Sequence, residues 1–405
     1  MRLFPDNRVV PALMFHSIGL QDHKWIWSHI SEPLETFERK IALLNKSGFR
    51  TVFWRELYLY MRGDKSLPRK AIFLTFDDGY LDNWVYVLPI LSKYGMKATV
   101  FVSPEFVEPG NSVRPNLDDV HAGNCDAENL QLAGFLNWAE LREMEKSGLV
   151  DVQSHAMSHT WYFSGPRLVD LHRPRPISPY PWLFWNERPD RKPFYLSEIQ
   201  EEFLPWGYPI LEHAKSLEVR RFIPDQRSVN DFIATIHERI GVESLRRDDW
   251  ADMVQTRAGI VLKDAELAGR FETDDERTKR LSYEITGSKE ILDKKLNKNV
   301  EFICWPGGAN SDRVQQIALD AGFKAWTLNS AQESAKRNIP GVDSRSIRRI
   351  STGNAIGIRS RIVGFGGARF QLLRILEHQH SEIHSLLLKF YKIMAAIVIW
   401  LRTDR

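Results

Sequence analysis

The strongest constraint on the fold of this chain is a short apolar run that ends in two adjacent acids. Residues 71–75 are almost wholly apolar and show no polar alternation, which predicts a strand buried on both faces. Asp77, Asp78 and Gly79 follow this run. Two neighbouring carboxylates repel each other unless a cation lies between them or one holds a proton. The string therefore indicates a ligand site, and the alternative is a turn in which one of the two acids caps the next helix.

Strand and helix patterns alternate through the first hundred residues. The sequence predicts strands at 9–15, 49–53, 71–75 and 98–102, with amphipathic helices at 35–46, 55–61 and 81–94. A helix at 137–146 and a strand at 149–153 follow, and the alternation returns with a helix at 273–297 and a strand at 300–304. Apolar strands separated by helices are typical of an α/β protein with a parallel sheet covered on both faces.

Residues 161–272 interrupt this alternation with many prolines and aromatic side chains. Disordered tracts lack such aromatics, so we expect an ordered, mostly helical or irregular insertion that forms a cap or shapes a cleft. The predicted division of the chain is therefore 8–160 and 273–352 for the two parts of one fold, 161–272 for the insertion and 353–405 for a C-terminal extension. A net charge of +3 and the lack of a basic, aromatic-rich cluster argue against a nucleic-acid partner.

The end of the chain is apolar without being a membrane span. Residues 393–401 form an unbroken apolar run that is too short to cross a bilayer. Residues 385–401, with Lys389, Lys392 and Trp400, are expected either to make peripheral contact with a membrane or to form a helix packed on the protein. No secretory signal is recognisable near the N-terminus, which predicts a cytoplasmic location, with contact at the inner face of the membrane.

A pair of histidines provides the second chemical signal. His155 and His159 follow the predicted strand at 149–153, and histidines four residues apart face the same way on a helical turn. Together with one aspartate they would give three metal ligands and leave positions open for water and substrate. A zinc protease of the HExxH type is disfavoured because Ala156 stands where its glutamate would be. The alternative is that the two histidines are unrelated loop residues.

These features together resemble a known family. The string Thr75-Phe76-Asp77-Asp78-Gly79-Tyr80 with the pair His155 and His159 resembles the polysaccharide deacetylases, also called the NodB-homology or carbohydrate esterase family 4 group. Residues 10–16, 288–292, 305–308 and 322–325 further resemble the branch that includes poly-N-acetylglucosamine deacetylases.

This resemblance implies a deformed parallel (β/α)7-type barrel with a large insertion and a C-terminal helix. It also implies a hydrolase of the cell envelope that removes N-acetyl groups from a sugar in a polysaccharide or glycolipid precursor. Asp77 would be the catalytic base, and Asp78, His155 and His159 would hold a divalent cation, usually Zn²⁺. The implied substrate-binding residues are Tyr80, Trp305 and Pro306. A backbone N–H group near Tyr80 would bind the oxyanion.

The chain departs from the family pattern at two positions. Cys304 stands where many members carry an arginine that orients the base, so a partner for Asp77 is expected from Arg345, Arg348 or Arg349. The usual late catalytic histidine is not evident, and His16, just past the first predicted strand, is the candidate acid. These departures leave two alternatives, an O-acetyl esterase of the same mechanism and a catalytically impaired sugar-binding relative.

Overall fold

The structure of the chain is a computed structural model that describes residues 8–20, 25–328, 337–352, 355–358, 361–364 and 367–378, with four single residues beyond them. The strands are β1 (Ala12–Phe15), β2 (Ser17–Ile18), β3 (Ser31–Glu32), β4 (Arg50–Thr51), β5 (Ala71–Phe76), β6 (Ala98–Val102), β7 (Val150–Ser154), β8 (Trp161–Leu171), β9 (Pro209–Lys215), β10 (Phe222–Pro224), β11 (Gly269–Phe271), β12 (Phe302–Ile303), β13 (Ala325–Thr327), β14 (Ser346–Ile347), β15 (Ile350–Ser351), β16 (Ala355–Ile358) and β17 (Arg361–Gly364). The α-helices are α1 (Leu34–Lys46), α2 (Trp54–Met61), α3 (Leu88–Tyr94), α4 (Leu117–His121), α5 (Trp138–Lys146), α6 (Pro181–Glu187), α7 (Gln226–Arg239), α8 (Trp250–Ala258), α9 (Asp274–Ser282), α10 (Ser288–Leu296), α11 (Asp312–Asp320) and α12 (Ala368–His378).

One parallel sheet organises the fold. Its strand order is β14-β13-β12-β7-β6-β5-β1-β15, and β4 pairs with part of β5. The two edge strands are β14 and β15, yet only Arg348 and Arg349 separate them in sequence. Two residues span little more than about 10 Å, so the sheet must curl until its edges approach each other. Arg349 therefore lies at the seam where the barrel closes.

The sequence patterns correctly predicted the main elements of this barrel. Every residue of β5 is buried, as its apolar run required. On α1, Phe37, Ile41 and Leu44 face the core. The helix predicted at 273–297 is α9 and α10 joined by a wide turn, and Thr273 caps its start through the predicted exchange with Glu276.

The insertion contains a long pair of antiparallel strands that the sequence patterns did not reveal. Strands β8 and β9 pair with two register shifts, so neither strand keeps a regular alternation of apolar and polar side chains. A second hydrophobic cluster packs around this strand pair. Most residues of the cluster lie between residues 161 and 272. The boundaries of the insertion at 160 and 272 remain predictions.

The C-terminal region contains the strand pair β16–β17, followed by a helix that packs on the barrel. Helix α12 lies against α1 and buries Phe370 and Ile375. Most of residues 385–401 lie outside the described residues, so the amphipathic tail remains a prediction. Among the helices that the structure describes, none combines the length and the apolar character needed to cross a bilayer.

Candidate active site

The carboxyl ends of the barrel strands surround one cavity of about 420 Å³. The candidate residues reach it because each follows a strand: His16 after β1, Asp77 and Asp78 after β5, His155 after β7 and Trp305 after β12. Parallel strands direct their carboxyl ends to one edge of the sheet, where barrel enzymes place their reacting groups. The topology therefore brings together residues that are far apart in sequence.

Asp78, His155 and His159 converge on one point. The Oδ1 atom of Asp78 lies 3.1 Å from Nε2 of His155 and 3.4 Å from Nε2 of His159. This oxygen is buried and has no hydrogen-bond partner. Burial alone would raise the pKa of Asp78, but His159 and His155 lower the pKa below its ordinary value, so the carboxylate is ionised. A buried, unpaired carboxylate oxygen facing two imidazole nitrogens fits a divalent cation.

The second ring nitrogen of His155 fixes how this histidine is used. Nδ1 lies 2.8 Å from the carbonyl oxygen of Cys304, and a carbonyl only accepts hydrogen bonds, so Nδ1 carries the proton. The lone pair of Nε2 would then be available to a cation that lies between it and Asp78. Such an outer hydrogen bond is typical of histidines that bind metals, because it sets both the tautomer and the ring orientation.

The two histidines do not lie on a helical turn, which corrects the sequence-based expectation. Residues 155–160 have no helical structure. His159 and Ala156 instead adopt left-handed backbone conformations, with φ of 42° and 56°, and Asp78 does the same with φ of 73°. Left-handed conformations are unfavourable for residues other than glycine and persist where the surroundings impose them. Two of the three candidate ligands and the residue directly after the third have this conformation, which indicates a backbone held in place for function.

A buried polar cluster holds the histidine segment in this conformation. Glu284 accepts hydrogen bonds from the backbone N–H of Ser158, at 3.0 Å, and from its hydroxyl group. Lys192, from the insertion, donates to the carbonyl oxygen of Ser158 at 3.0 Å and forms an ion pair with Glu105. The side chains of Lys192 and Glu284 are almost fully buried. All the polar groups of Ser158, next to His159, are therefore fixed by the barrel and by the insertion together.

Arg349 is the arginine that pairs with Asp77. Its Nη1 and Nη2 atoms lie 2.6 and 2.8 Å from the two carboxylate oxygens of Asp77. Burial alone would raise the pKa of Asp77, but Arg349 and His16 lower the pKa below its ordinary value. The thiol of Cys304 lies 3.6 Å from Asp77, in the position that the sequence comparison assigned to the family's arginine. The guanidinium therefore arrives from the seam between β14 and β15.

The remaining predicted site residues are placed as follows. His16 is half-buried, with Nε2 3.8 Å from Asp77. Tyr80 and Trp305 line the cavity. Pro306 is buried and does not line it, and Gly307 takes its place there.

An aromatic wall faces these groups, and the insertion contributes part of it. Trp161 lies beside His159, with ring centroids 5.7 Å apart, and stacks on Trp27 at 6.2 Å. Trp185 and Tyr195 continue the wall. The sequence showed that tryptophans were numerous in this region but not which of them would face the site, because that depends on how the insertion packs against the barrel.

A curled parallel sheet with a three-ligand set beside an arginine-paired carboxylate has the elements of a metal-assisted hydrolase. Comparison with known proteins shows a similarity to one family. Residues 64–177 match the family profile described as "Polysaccharide deacetylase". The resemblance to this family inferred from the sequence is therefore confirmed over this part of the chain.

Two curated relatives illustrate the likeness. YxkH of Bacillus subtilis, which is named after the same family, is 38% identical over 150 residues, or 37% of this chain and 43% of that protein. The poly-β-1,6-N-acetyl-D-glucosamine N-deacetylase of Escherichia coli is 28% identical over 158 residues, or 39% of this chain and 21% of that protein. The chain thus spans less than half the length of these relatives.

Solved structures confirm the fold. A de-N-acetylase from Aggregatibacter actinomycetemcomitans superposes with a TM-score of 0.51 at 17% identity, covering 87% of this chain and 97% of that one. The BpsB deacetylase domain from Bordetella bronchiseptica superposes with a TM-score of 0.50 at 18% identity, covering 86% and 97%. The predicted deformed β/α barrel is therefore correct.

Proposed function

We propose that this protein is a hydrolase that removes N-acetyl groups from a sugar of a polysaccharide or glycolipid precursor, with Zn²⁺ as its metal. The observation that carries the proposal is the convergence of Asp78, His155 and His159 beside an Asp77 held by Arg349. The name of the Escherichia coli relative, an N-deacetylase, supports amide rather than ester hydrolysis.

The residues of the chain divide the reaction between them. Asp78, His155 and His159 would hold a divalent cation, which would supply a Lewis acid for the acetyl carbonyl group. Asp77 accepts the proton of the attacking water, and its pairing with Arg349 keeps it anionic and fixes its orientation. His16, whose Nε2 lies 3.8 Å from Asp77, gives a proton to the leaving amine.

The test is acetate release from poly-β-1,6-N-acetyl-D-glucosamine and its oligomers by the purified chain. We expect release to stop when the metal is removed with a chelator and to return with Zn²⁺. Asp78→Ala should lose both metal and activity, whereas Asp77→Asn should retain the metal and lose activity by roughly 10²- to 10⁴-fold. Metal-independent release, or full activity of Asp77→Asn, would contradict the proposal.

Two alternatives are decided by the same assay. Faster acetate release from O-acetylated than from N-acetylated sugars would make the protein an esterase. The impaired-relative alternative rested on a missing arginine and a missing late histidine, and Arg349 removes the first of these two grounds. That alternative would gain if the parent and Asp77→Asn bound sugar equally and neither released acetate.

We further propose that residues 385–401 bring the protein to the inner face of a membrane, where a lipid-linked sugar would be the substrate. The support is their apolar sequence with flanking lysines. Deleting residues 385–405 should lower co-sedimentation with anionic vesicles. Unchanged sedimentation would remove this idea without affecting the catalytic proposal.

A further inference from the structure

Asn338 is a fully buried polar residue at the seam where the barrel closes. The edge strand β14 pairs with β13, and the edge strand β15 pairs with β1. The hydrogen bonds of Asn338 join Val10, just before β1, to Arg348, which lies between β14 and β15 in sequence. A buried amide is unfavourable unless its polar atoms are paired, and here the partners lie on both sides of the seam.

Asn338 bonds to every backbone polar group of these two residues. The N–H group of Val10 donates to the backbone carbonyl oxygen of Asn338 at 3.0 Å, and the carbonyl oxygen of Val10 accepts from Nδ2 at 3.1 Å. The N–H group of Arg348 donates to Oδ1 at 3.0 Å, and its carbonyl oxygen accepts from Nδ2 at 2.9 Å. An amide side chain offers a carbonyl oxygen and an NH₂ group together. Asn338 therefore supplies the bonds that a neighbouring strand would otherwise make.

The residue after Arg348 is Arg349, which reaches Asp77. The side chain of Arg349 is only 7% exposed, and its two terminal nitrogens lie 2.6 and 2.8 Å from the two carboxylate oxygens of Asp77. Two parallel hydrogen bonds of this kind require the guanidinium to approach in one plane and one direction. A rotation of the backbone at Arg348 would break at least one of them. The bonds of Asn338 to both backbone groups of Arg348 oppose that rotation.

We propose that Asn338 is a positioning residue, which holds the backbone at the seam so that Arg349 presents both nitrogens to Asp77. The inference rests on the proposed function, in which Asp77 is the base. Asn338 does not line the catalytic cavity, so its effect on the reaction passes through Arg349. Its loss should lower kcat and leave KM unchanged. The affinity for Zn²⁺ should also stay unchanged, because the candidate metal ligands follow β5 and β7.

The first experiment replaces Asn338 by alanine and measures acetate release from oligomers of poly-β-1,6-N-acetyl-D-glucosamine. We expect kcat to fall about 10- to 100-fold, with KM and the affinity for Zn²⁺ within about twofold of the parent. Asn338→Ser keeps one donor and one acceptor, so its kcat should fall less. If Asn338→Ala does not fold, Asn338→Ser takes its place in each measurement.

Asn137→Ala is the matched control for a purely structural effect. Asn137 is also buried, and its side chain forms three hydrogen bonds to backbone groups, at the start of α5 and away from the seam. Its replacement should lower Tm as Asn338→Ala does and leave kcat unchanged. An equal fall in kcat for the two variants would overturn the inference.

A second experiment asks whether Asn338 acts through Arg349. Arg349→Lys keeps a positive charge beside Asp77 but cannot form two parallel hydrogen bonds. Adding Asn338→Ala to this variant should lower kcat by less than about twofold, because the geometry that Asn338 maintains is already lost. A further fall of about tenfold would show that Asn338 acts independently of Arg349, and the inference would be wrong.

A crystal structure of Asn338→Ala separates this inference from the proposed function, because it requires no turnover. We expect at least one of the two contacts between Arg349 and Asp77 to lengthen beyond about 3.5 Å. If both contacts stay as they are in the parent, the inference is overturned even where the protein is an active deacetylase. If the parent releases no acetate but the contacts are lost in the variant, the proposed function fails and the positioning role of Asn338 stands.

Discussion

The barrel and the insertion contribute different things to the same cavity. The barrel core is built from strands that are buried on both faces, and its strand ends supply the chemical groups Asp77, Asp78, His155 and Arg349. The insertion core is an irregular pair of antiparallel strands packed with aromatic rings, and it supplies wall residues such as Trp161. The chemistry therefore comes from the regular region and the shape of the site from the irregular one.

Lys192 is the exception that connects the two regions. It belongs to the insertion, yet it bonds to the backbone beside His159 on the barrel. We therefore expect changes in the barrel to affect catalysis directly. Changes in the insertion should affect substrate affinity, except at Lys192, which acts on the backbone beside His159.

Replacing Arg349 by methionine should have the largest effect. The change leaves Asp77 as a buried charge without its cation, which should lower the free energy of unfolding by roughly 3–5 kcal/mol. Acetate release should fall as well, because the base loses its orientation. Urea denaturation and the activity assay measure the two effects.

Arg345→Met is the control for this experiment. Arg345 is exposed and lies at the same seam, so its replacement should change stability by less than about 0.5 kcal/mol. Equal stability of the two variants would show that the ion pair between Asp77 and Arg349 contributes nothing to the free energy of unfolding.

Lys192→Met should weaken metal binding although the residue is not a ligand. The left-handed backbone at His159 would lose one of its two anchors, and loss of such outer contacts typically lowers metal affinity 10- to 100-fold. The affinity for Zn²⁺ is measured by competition with a chelating dye, together with Tm in the presence and absence of the metal.

The neighbouring Arg191 offers a matched control. It also forms an ion pair within the insertion, but with Glu198 at a partly exposed position. Arg191→Met should therefore leave the affinity for Zn²⁺ unchanged. If Lys192→Met lowers Tm equally with and without metal and the Zn²⁺ affinity stays constant, the anchor serves stability alone.

The same contrast explains what the sequence could predict. The strands and helices of the barrel follow local periodicity, and the pair Asp77–Asp78 stands at a strand end that its apolar run already marks. The convergence with His155 was predictable for the same reason, because both residues follow strands of one parallel sheet.

The other features of the site depend on contacts between distant residues, which no local sequence pattern indicates. The choice of Arg349 over Arg345 and Arg348 follows from where the barrel closes, and a string of arginines does not reveal this. Likewise, Lys192 is one charged residue in a proline-rich segment, and only its burial against Glu105 sets it apart. The helical turn expected at the histidines was wrong because left-handed residues bring the rings together instead.

Asp82 should make the stability of the barrel depend on pH. Burial raises its pKa to about 7, although hydrogen bonds from Ser17 and Asn83 oppose this rise. The folded state thus holds the proton more tightly than the unfolded state. The resulting stability is complete below about pH 4 and is lost as the pH rises towards 7, by at most about 1.4 kcal/mol per pH unit.

Asp82→Asn tests this effect, because the amide cannot ionise. Urea denaturation from pH 5 to 8 should give a curve for the variant that falls less with pH than that of the parent. Asp320→Asn, at an exposed acid on α11, should follow the parent. Parallel curves for Asp82→Asn and the parent would mean that Asp82 is not protonated in the folded barrel.

The smallest expected effect, Trp161→Ala, tests whether the insertion acts on affinity alone. Removing a ring from the wall should raise KM about tenfold, or about 1.4 kcal/mol, and leave kcat within a few-fold. Trp206→Ala, at a partly buried tryptophan of the insertion that does not line the catalytic cavity, should change neither constant. A fall in kcat at constant KM would instead mean that Trp161 holds His159, whose ring it contacts, in position. In that case the insertion would contribute to catalysis through Trp161 as well as to substrate affinity.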